Sequence, residues 1–255
     1  MASGRDNDKT CARDGTMKSM LIIGHRGAAG LAPENTLEAM QAGVENGADI
    51  LEFDIRLTRD NVMVLVHDFH TLRTHHKASI ISRKTYAELQ ELFPDHRQIT
   101  RIEEVLDRYF GTVLLNIELK TRSSAELLVK LLKKKYIKKA SDWENIMISS
   151  FKVGELLRIR RLEKRANLAL LQSDNPFMFV AYHRFVKFTA VGFHRLYLNP
   201  LALEIAHRAN VFTYTYTIDR PAAISHLTSL GIDGVVTNYP DKFSAALSDE
   251  AAHAS

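Results

Sequence analysis

Short apolar runs alternate with amphipathic stretches along almost the whole chain. Runs rich in apolar and β-branched residues fall at 20–25, 50–57, 112–119, 146–150, 168–172, 189–194, 211–217 and 234–237, which predicts eight strands. Between them apolar residues return every three or four positions. That spacing predicts helices at 35–46, 85–92, 102–109, 124–135, 153–164, 176–186, 200–209 and 220–229, with a last one from 241. Repeated β/α units of this kind build a parallel sheet covered by helices, and eight of them close into a (β/α)8 TIM barrel. The chemistry of such a barrel belongs at the carboxyl ends of its strands.

One apolar run is surplus to that count. Residues 62–67 follow the 50–57 strand after only Thr58-Arg59-Asp60-Asn61, a connection far too short for a parallel crossover. The two runs are therefore expected to form an antiparallel hairpin that leaves the barrel mouth and returns to it. The fold-back brings His67 to the height of Asp54, and 69–100 becomes a small insertion over the mouth. No linker or second domain is apparent, so a single barrel domain is expected over 19–250, between flexible ends at 1–18 and 251–255.

Composition narrows the class of molecule. The 255 residues are 45% hydrophobic and 25% charged, as in an ordinary globular protein with one sizeable core. No apolar run approaches the ~18–20 residues of a membrane-spanning helix. The one cysteine, Cys11, excludes an intramolecular disulfide and a cysteine-ligated zinc cluster. The first eighteen residues lack the apolar core of a secretory signal, so a cytoplasmic location is expected. The net charge of +4 gathers in lysine- and arginine-rich ends of the helices near 130–139 and 158–165. Neither cluster is interleaved with stacking aromatics, which argues against nucleic acid and for solvated helix faces, with peripheral contact to anionic lipid left open.

The strand ends carry the unusual chemistry. Glu52 and Asp54 stand at i and i+2 in a strand expected to be buried on both faces, so both carboxylates point into the barrel. Glu118 and Lys120 repeat the spacing on the next barrel strand. Three acids at matching strand ends suggest a hard-cation site for Mg²⁺ or Ca²⁺, with a surface Glu118–Lys120 ion pair as the plainer alternative. His25 and His67 end the first strand and the hairpin, and two imidazoles at one mouth can divide general acid and base duties. Arg26 and Lys120 add fixed positive charge suited to a phosphoryl group. Together these groups point to phosphodiester cleavage. In Pro33-Glu34-Asn35-Thr36-Leu37-Glu38 the spacing predicts Asn35 as N-cap of a capping box with Glu38, which leaves Pro33 and Asn35 no catalytic part. Glu34 then either orders the mouth or favours the helix N-terminus. His70, His75 and His76 in the insertion are expected to be exposed loop residues rather than an accessory metal site. The aromatic stretch of Phe177, Phe179, Tyr182, Phe185 and Phe188 is expected to be mostly buried against the barrel.

The motifs His25-Arg26-Gly27, Ala32-Pro33-Glu34-Asn35-Thr36, Glu52-Phe53-Asp54, His67-Asp68 and Glu118-Leu119-Lys120 resemble, in that order, those of the glycerophosphodiester phosphodiesterases, relatives of the phosphoinositide-specific phospholipases C. Ile148-Ser149-Ser150-Phe151 and the stretch from Gly231 to Asp241 extend the resemblance to the later strands. It implies a divalent cation held at Glu52, Asp54 and Glu118, acid–base work by His25 and His67, and phosphate contacts from Arg26 and Lys120. It also implies a small-molecule glycerophosphodiester substrate, hydrolysed to glycerol 3-phosphate and an alcohol. Where the family often reads Val-Trp-Thr-Val-Asn, this chain has Thr215-Tyr216-Thr217-Ile218-Asp219, which bears on the alcohol side of the substrate, and the candidate pocket residues at the mouth are Glu34, Phe151, His194 and Tyr216. A lysophospholipase D-like activity on the same site and a non-catalytic barrel that binds phosphorylated ligands remain as alternatives.

Overall fold

The structure is a computed structural model that describes residues 20–94 and 98–254, with 250–254 described as backbone only. The expected amino-terminal tail, with Cys11, lies outside the described residues. The strands are β1 (Leu21–Gly24), β2 (Ile50–Leu57), β3 (Met63–Leu65), β4 (Leu114–Leu119), β5 (Ile146–Ser150), β6 (Asn167–Gln172), β7 (Ala190–His194), β8 (Phe212–Tyr216) and β9 (Gly234–Thr237). All pair in parallel except β3, and β1 pairs with both β9 and β2, so eight of the strands close into a barrel. β3 pairs antiparallel with the outer half of β2, Ile55 opposite Leu65, which is the hairpin expected from the short turn.

The helices that cover the barrel are α1 (Leu37–Glu45), α4 (Ile102–Tyr109), α5 (Ser124–Lys135), α6 (Val153–Leu162), α7 (Met178–Val186), α8 (Pro200–Arg208), α9 (Ile224–Ser229) and α10 (Pro240–Ala254). Two short helices, α2 (Leu72–His75) and α3 (Tyr86–Leu92), belong to the insertion. The strand pleat divides the buried residues into two layers. Leu51, Phe53 and Ile55 face outward into the large core between sheet and helices. Ile50 faces inward and joins Ile23, Ala169, Leu171, Tyr214 and Val236, which fill the barrel axis. This inner plug forms the floor beneath the carboxylates above it on β2. The insertion has its own small core, Val64, Val66, Ile81, Leu89, Phe93 and Ile99, which fastens it to the hairpin. Thr85 caps α3 in a reciprocal box with Glu88.

Two expectations need correction. The N-cap of α1 is Thr36, whose Oγ1 accepts from Ala39 N at 3.1 Å, so Asn35 and Glu38 do not form the capping box. Asn35 instead adopts φ +58°, a left-handed conformation that Asn tolerates better than most residues, and it is buried. The aromatic stretch around α7 is also less buried than expected. Phe179 and Phe188 are in the core, but Phe177, Tyr182 and Phe185 are exposed, the last with the Arg184 guanidinium over its ring.

Candidate active site

The register of β2 and β4 places the acids. Asp54 pairs directly with Glu118, so the two side chains lie abreast on the inner face, and Glu52 lies one inward position below Asp54. Ligand oxygens of the three carboxylates lie within 4.8 Å of one another, and all three residues are buried. Burial on this scale needs compensation, and the neighbouring chain supplies part of it. The Arg26 N–H donates to Glu52 Oε2 at 2.9 Å, and Gly27 N–H donates to the Glu52 carbonyl. Arg26 lies in the left-handed region at φ +51°, and at Gly27 a Cβ would press on the Ala39 backbone at 2.5 Å. Glycine is therefore required where this turn crosses α1.

Asp54 is the most firmly held of the acids. Asn35 Nδ2 donates to its Oδ2 at 2.9 Å while its own N–H donates to Asn35 Oδ1 at 3.1 Å. Lys120 Nζ lies 3.1 Å from Asp54 Oδ1 and 2.5 Å from Glu118 Oε1, and Arg26 Nε lies 3.4 Å from Asp54 Oδ2. Glu118 and Lys120 are both largely buried, so theirs is not a surface ion pair. Burial alone would raise Asp54, but Lys120, Arg26 and His67 together hold it well below the usual carboxylate range. Glu52 goes the other way, raised by burial and by the charges of Asp54 and Glu118. Glu118 is pushed up to about 7 by burial and by Asp54, against the pull of Lys120. The trio thus has more negative charge than its protein surroundings neutralise.

These residues fit a divalent cation. The donors are all carboxylate oxygens, the set that suits Mg²⁺ or Ca²⁺. Lys120 already places an ammonium between two of them, standing in for positive charge. Asn116 Oδ1 and Ser149 Oγ, buried on the same wall, have no hydrogen-bond partner within the described chain.

Both histidines line the cavity, of ≈ 360 Å³, that opens over Glu52 and Glu118. His25 Nδ1 lies 2.7 Å from Asn238 Oδ1. The orientation of the Asn238 amide is fixed in turn by Asp219, whose Oδ2 accepts from Asn238 Nδ2 at 2.8 Å and whose Oδ1 accepts from Asn238 N at 2.9 Å. A carboxylate only accepts, so Asn238 must present its oxygen to His25, and His25 Nδ1 must carry the hydrogen. His67 obeys the same logic: its Nδ1 lies 2.7 Å from Asp68 Oδ1, and Arg56 Nε donates to its carbonyl at 2.8 Å. Each ring therefore keeps Nε2 as the nitrogen free for other partners. Both imidazoles have lowered pKa values, chiefly through burial, with Arg26 adding to the effect at His25 and Asp54 opposing it at His67.

Glu34 is not in the cavity wall. It receives a two-pronged hydrogen bond from Arg73, 2.6 Å on each oxygen, and another from Arg26 at 2.8 Å. Arg73 Nε also holds Asp68 Oδ2 at 2.7 Å. Glu34 thus orders the mouth rather than merely favouring a helix end. Phe151, His194 and Tyr216 do line the cavity, with Tyr216 edge-on to both other rings and its hydroxyl donating to the Gln172 carbonyl at 2.7 Å. Among the described residues the insertion histidines form no metal-type cluster, the acidic trio being the one such group. Sequence reasoning missed Asn35, Arg73 and Asn238 as site residues. Asn238 lay within the quoted closing motif and Asn35 within the first helix motif, whereas nothing in the spacing marked Arg73.

A barrel with acids, imidazoles and cations converging at its carboxyl-end mouth defines a phosphoric diester hydrolase of the (β/α)8 type. Residues 25–242 match the model of the Glycerophosphoryl diester phosphodiesterase family, and the chain belongs to that family. The Bacillus subtilis protein YhdW is 30% identical over 236 residues, 87% of this chain and 96% of its own. The glycerophosphodiester phosphodiesterase of Caldanaerobacter subterraneus subsp. tengcongensis is 29% identical over 238 residues, covering 87% and 95% of the two chains. Among solved structures, the Thermotoga maritima glycerophosphodiester phosphodiesterase matches with a TM-score of 0.77 at 25% identity, over 89% of this chain and 97% of that one. An Oleispira antarctica phosphodiesterase, solved with the product sn-glycerol-3-phosphate, shares the fold with a TM-score of 0.78 at 24% identity, over 89% and 96% of the chains. No helix among the described residues is long and apolar enough to cross a membrane.

Proposed function

We propose that this enzyme hydrolyses small-molecule glycerophosphodiesters to glycerol 3-phosphate and an alcohol, with His25 and His67 as acid–base pair and a divalent cation, Mg²⁺ or Ca²⁺, held by Glu52, Asp54 and Glu118. The observation that carries it is the convergence of both imidazoles, two of the acids, Arg26 and Lys120 on one cavity, with Asp54 ion-paired behind Lys120. The substrate class comes from the family and from the relatives' names. When bound, the cation supplies Lewis-acid polarisation of the phosphoryl group and of an attacking water. Arg26 and Lys120 bind the phosphate oxygens, where charge develops in the transition state. A neutral imidazole with Nδ1–H turned toward Asn238 or Asp68 takes at Nε2 a proton from the attacking water, whose oxygen forms the new bond to phosphorus as the bond to the alcohol breaks. The other imidazole, its pKa raised by the incoming phosphate, delivers a proton to the departing alcohol. Phe151, His194 and Tyr216 shape the wall against which the organic part of the substrate packs.

Turnover of glycerophosphocholine with Mg²⁺, with Ca²⁺ and with chelator, alongside His25→Ala and His67→Ala, tests this reading. Each substitution should reduce kcat by at least ~10²-fold, and chelation should abolish turnover. Activity indifferent to chelator and to both substitutions overturns it. The aromatic wall at the mouth favours one second reading, in which an acylated lysophospholipid is the substrate. A higher kcat/KM for lysophosphatidylcholine than for glycerophosphocholine would establish that reading in place of the first.

A further inference from the structure

A second cavity, of ≈ 690 Å³, adjoins the catalytic one and shares His194, Tyr216 and Thr217 with it. It lies on the same carboxyl-end face, between the loops that follow β7 and β8. Its remaining charged lining is Arg195, Asp219 and Arg220. Asp219 is already engaged, accepting from the Asn238 backbone and side chain and lying 3.3 Å from the Thr237 hydroxyl. The two arginines are not engaged in this way. Among the described residues neither Arg195 nor Arg220 has a carboxylate within ion-pair distance, which is also true of surface arginines such as Arg122 and Arg161; what sets these two apart is their place on one cleft beside the catalytic cavity.

We infer that this cleft is a second subsite, which receives an anionic group, phosphate or carboxylate, carried by the alcohol portion of the glycerophosphodiester. The inference rests on the proposed function and narrows its substrate class. A phosphodiester held at Arg26 and Lys120 sends one ester arm along the His194 and Tyr216 wall, which the two cavities share, and only the alcohol arm can carry a further anionic group because the glycerol arm ends in hydroxyls. An alcohol long enough to pass that wall enters a space with two unpaired guanidinium groups. A guanidinium fork binds phosphate or carboxylate oxygens through paired N–H donors, and a cationic alcohol such as choline gains nothing from it. Both arginines are exposed, so the attraction is moderated by solvent and weakens with salt.

The test compares kcat/KM for glycerophosphocholine, glycerophosphoinositol, glycerophosphoinositol 4-phosphate and glycerophosphoserine, in the parent enzyme and in Arg195→Ala, Arg220→Ala and the double variant. The phosphorylated inositol substrate should exceed its neutral counterpart by roughly 5- to 10-fold. That ratio should fall toward unity in the double variant and in high salt. A preference for glycerophosphoserine over glycerophosphocholine that also depends on the arginines identifies carboxylate as a ligand of the cleft, and its absence restricts the cleft to phosphate. Equal turnover of charged and neutral substrates, or a preference that survives the double substitution, overturns the subsite and leaves the proposed function standing. No turnover of any of the four overturns the proposed function and the subsite with it. A circular dichroism spectrum of the double variant that matches the parent shows that a lost preference is not a folding defect.

Discussion

Asn238 accepts a hydrogen bond from His25 Nδ1 at 2.7 Å across 213 residues of sequence, and Asp219 fixes which end of the Asn238 amide faces the ring. In the proposed acid–base pair, Asn238 is thereby a positioning residue for His25. Removing it frees the ring to rotate and to take the other tautomer, so Asn238→Ala should lower kcat by about 10- to 100-fold with a smaller effect on KM. The bond also favours the protonated ring, so its loss lowers the His25 pKa further below the ordinary value. The limb of the kcat/KM profile that reports His25 should therefore move to lower pH, a displacement that a purely structural role would not produce. Asp219→Asn keeps one acceptor for Asn238 and should show the same pattern in weaker form.

The reciprocal pair between Asn35 and Asp54 carries a second prediction. Asp54 is the carboxylate kept fully ionised, and Asn35 both donates to its Oδ2 and accepts from its N–H. In the proposed cation site this makes Asn35 an outer-sphere partner, and such partners contribute about 10- to 100-fold to cation affinity. Asn35→Gly preserves the left-handed backbone at φ +58° and removes only the amide. Its Mg²⁺ or Ca²⁺ requirement, read from activity against free cation concentration, should rise by that factor while kcat at saturating cation changes little. An unchanged cation requirement would show that Asp54 needs no such clamp.

In the proposed cation site, Glu118 and Glu52 make binding depend on pH. Glu118 is pushed up to about 7 and Glu52 is also raised well above the ordinary carboxylate range, so near neutrality the free site holds protons that a cation must displace. Affinity should therefore rise with pH through neutrality, by about tenfold per unit for each proton displaced. Titration calorimetry in two buffers of different ionisation enthalpy reads the released protons directly. Glu118→Gln, read at a cation concentration that still saturates the weakened site, should reduce that release without abolishing it, because Glu52 keeps a raised pKa, and an affinity independent of pH between 6 and 8 would contradict the assignment.

The strands were legible because each is an apolar run too short for a helix, and the hairpin because its turn is too short for a crossover. The acids were legible for a related reason: Glu52 and Asp54 repeat at the strand period on a strand with no exposed face. Contacts between distant segments left weaker traces. Asn35 and Glu38 carry the spacing of a capping box, and the frame is shifted to Thr36 because Asp54, on another element, captures the Asn35 side chain. Arg73 lies in the four-residue helix α2, where no periodicity marks a face, and its role exists only because the insertion folds back over Glu34. The aromatics of α7 satisfied a helical repeat, but repeat alone does not tell which face the barrel covers.

Arg73 joins the insertion to the mouth, and the charges it joins set when that connection fails. It binds Glu34 on both oxygens and Asp68 on one, and Asp68 in turn holds His67. Burial alone would raise Asp68, but bonds from His67 and Arg73 hold it down at about 2, and Glu34 is likewise lowered by Arg73 and Arg26. Folded pKa values below the unfolded ones mean that these carboxylates stabilise the docked insertion fully above about pH 4.5. Their contribution is lost progressively as pH falls toward 2. Arg73 is half exposed, so the effect is screened and local rather than global. Amide hydrogen exchange over residues 68–84 should therefore show the insertion of the parent enzyme opening only in strong acid. In Arg73→Ala the same opening should begin about half a pH unit higher. The variant should also lose activity at neutral pH, because Asp68 and Glu34 then hold His67 and Arg26 without their shared anchor. Exchange in 68–84 that is identical in the two proteins across this range would show that the insertion is held by its apolar core alone.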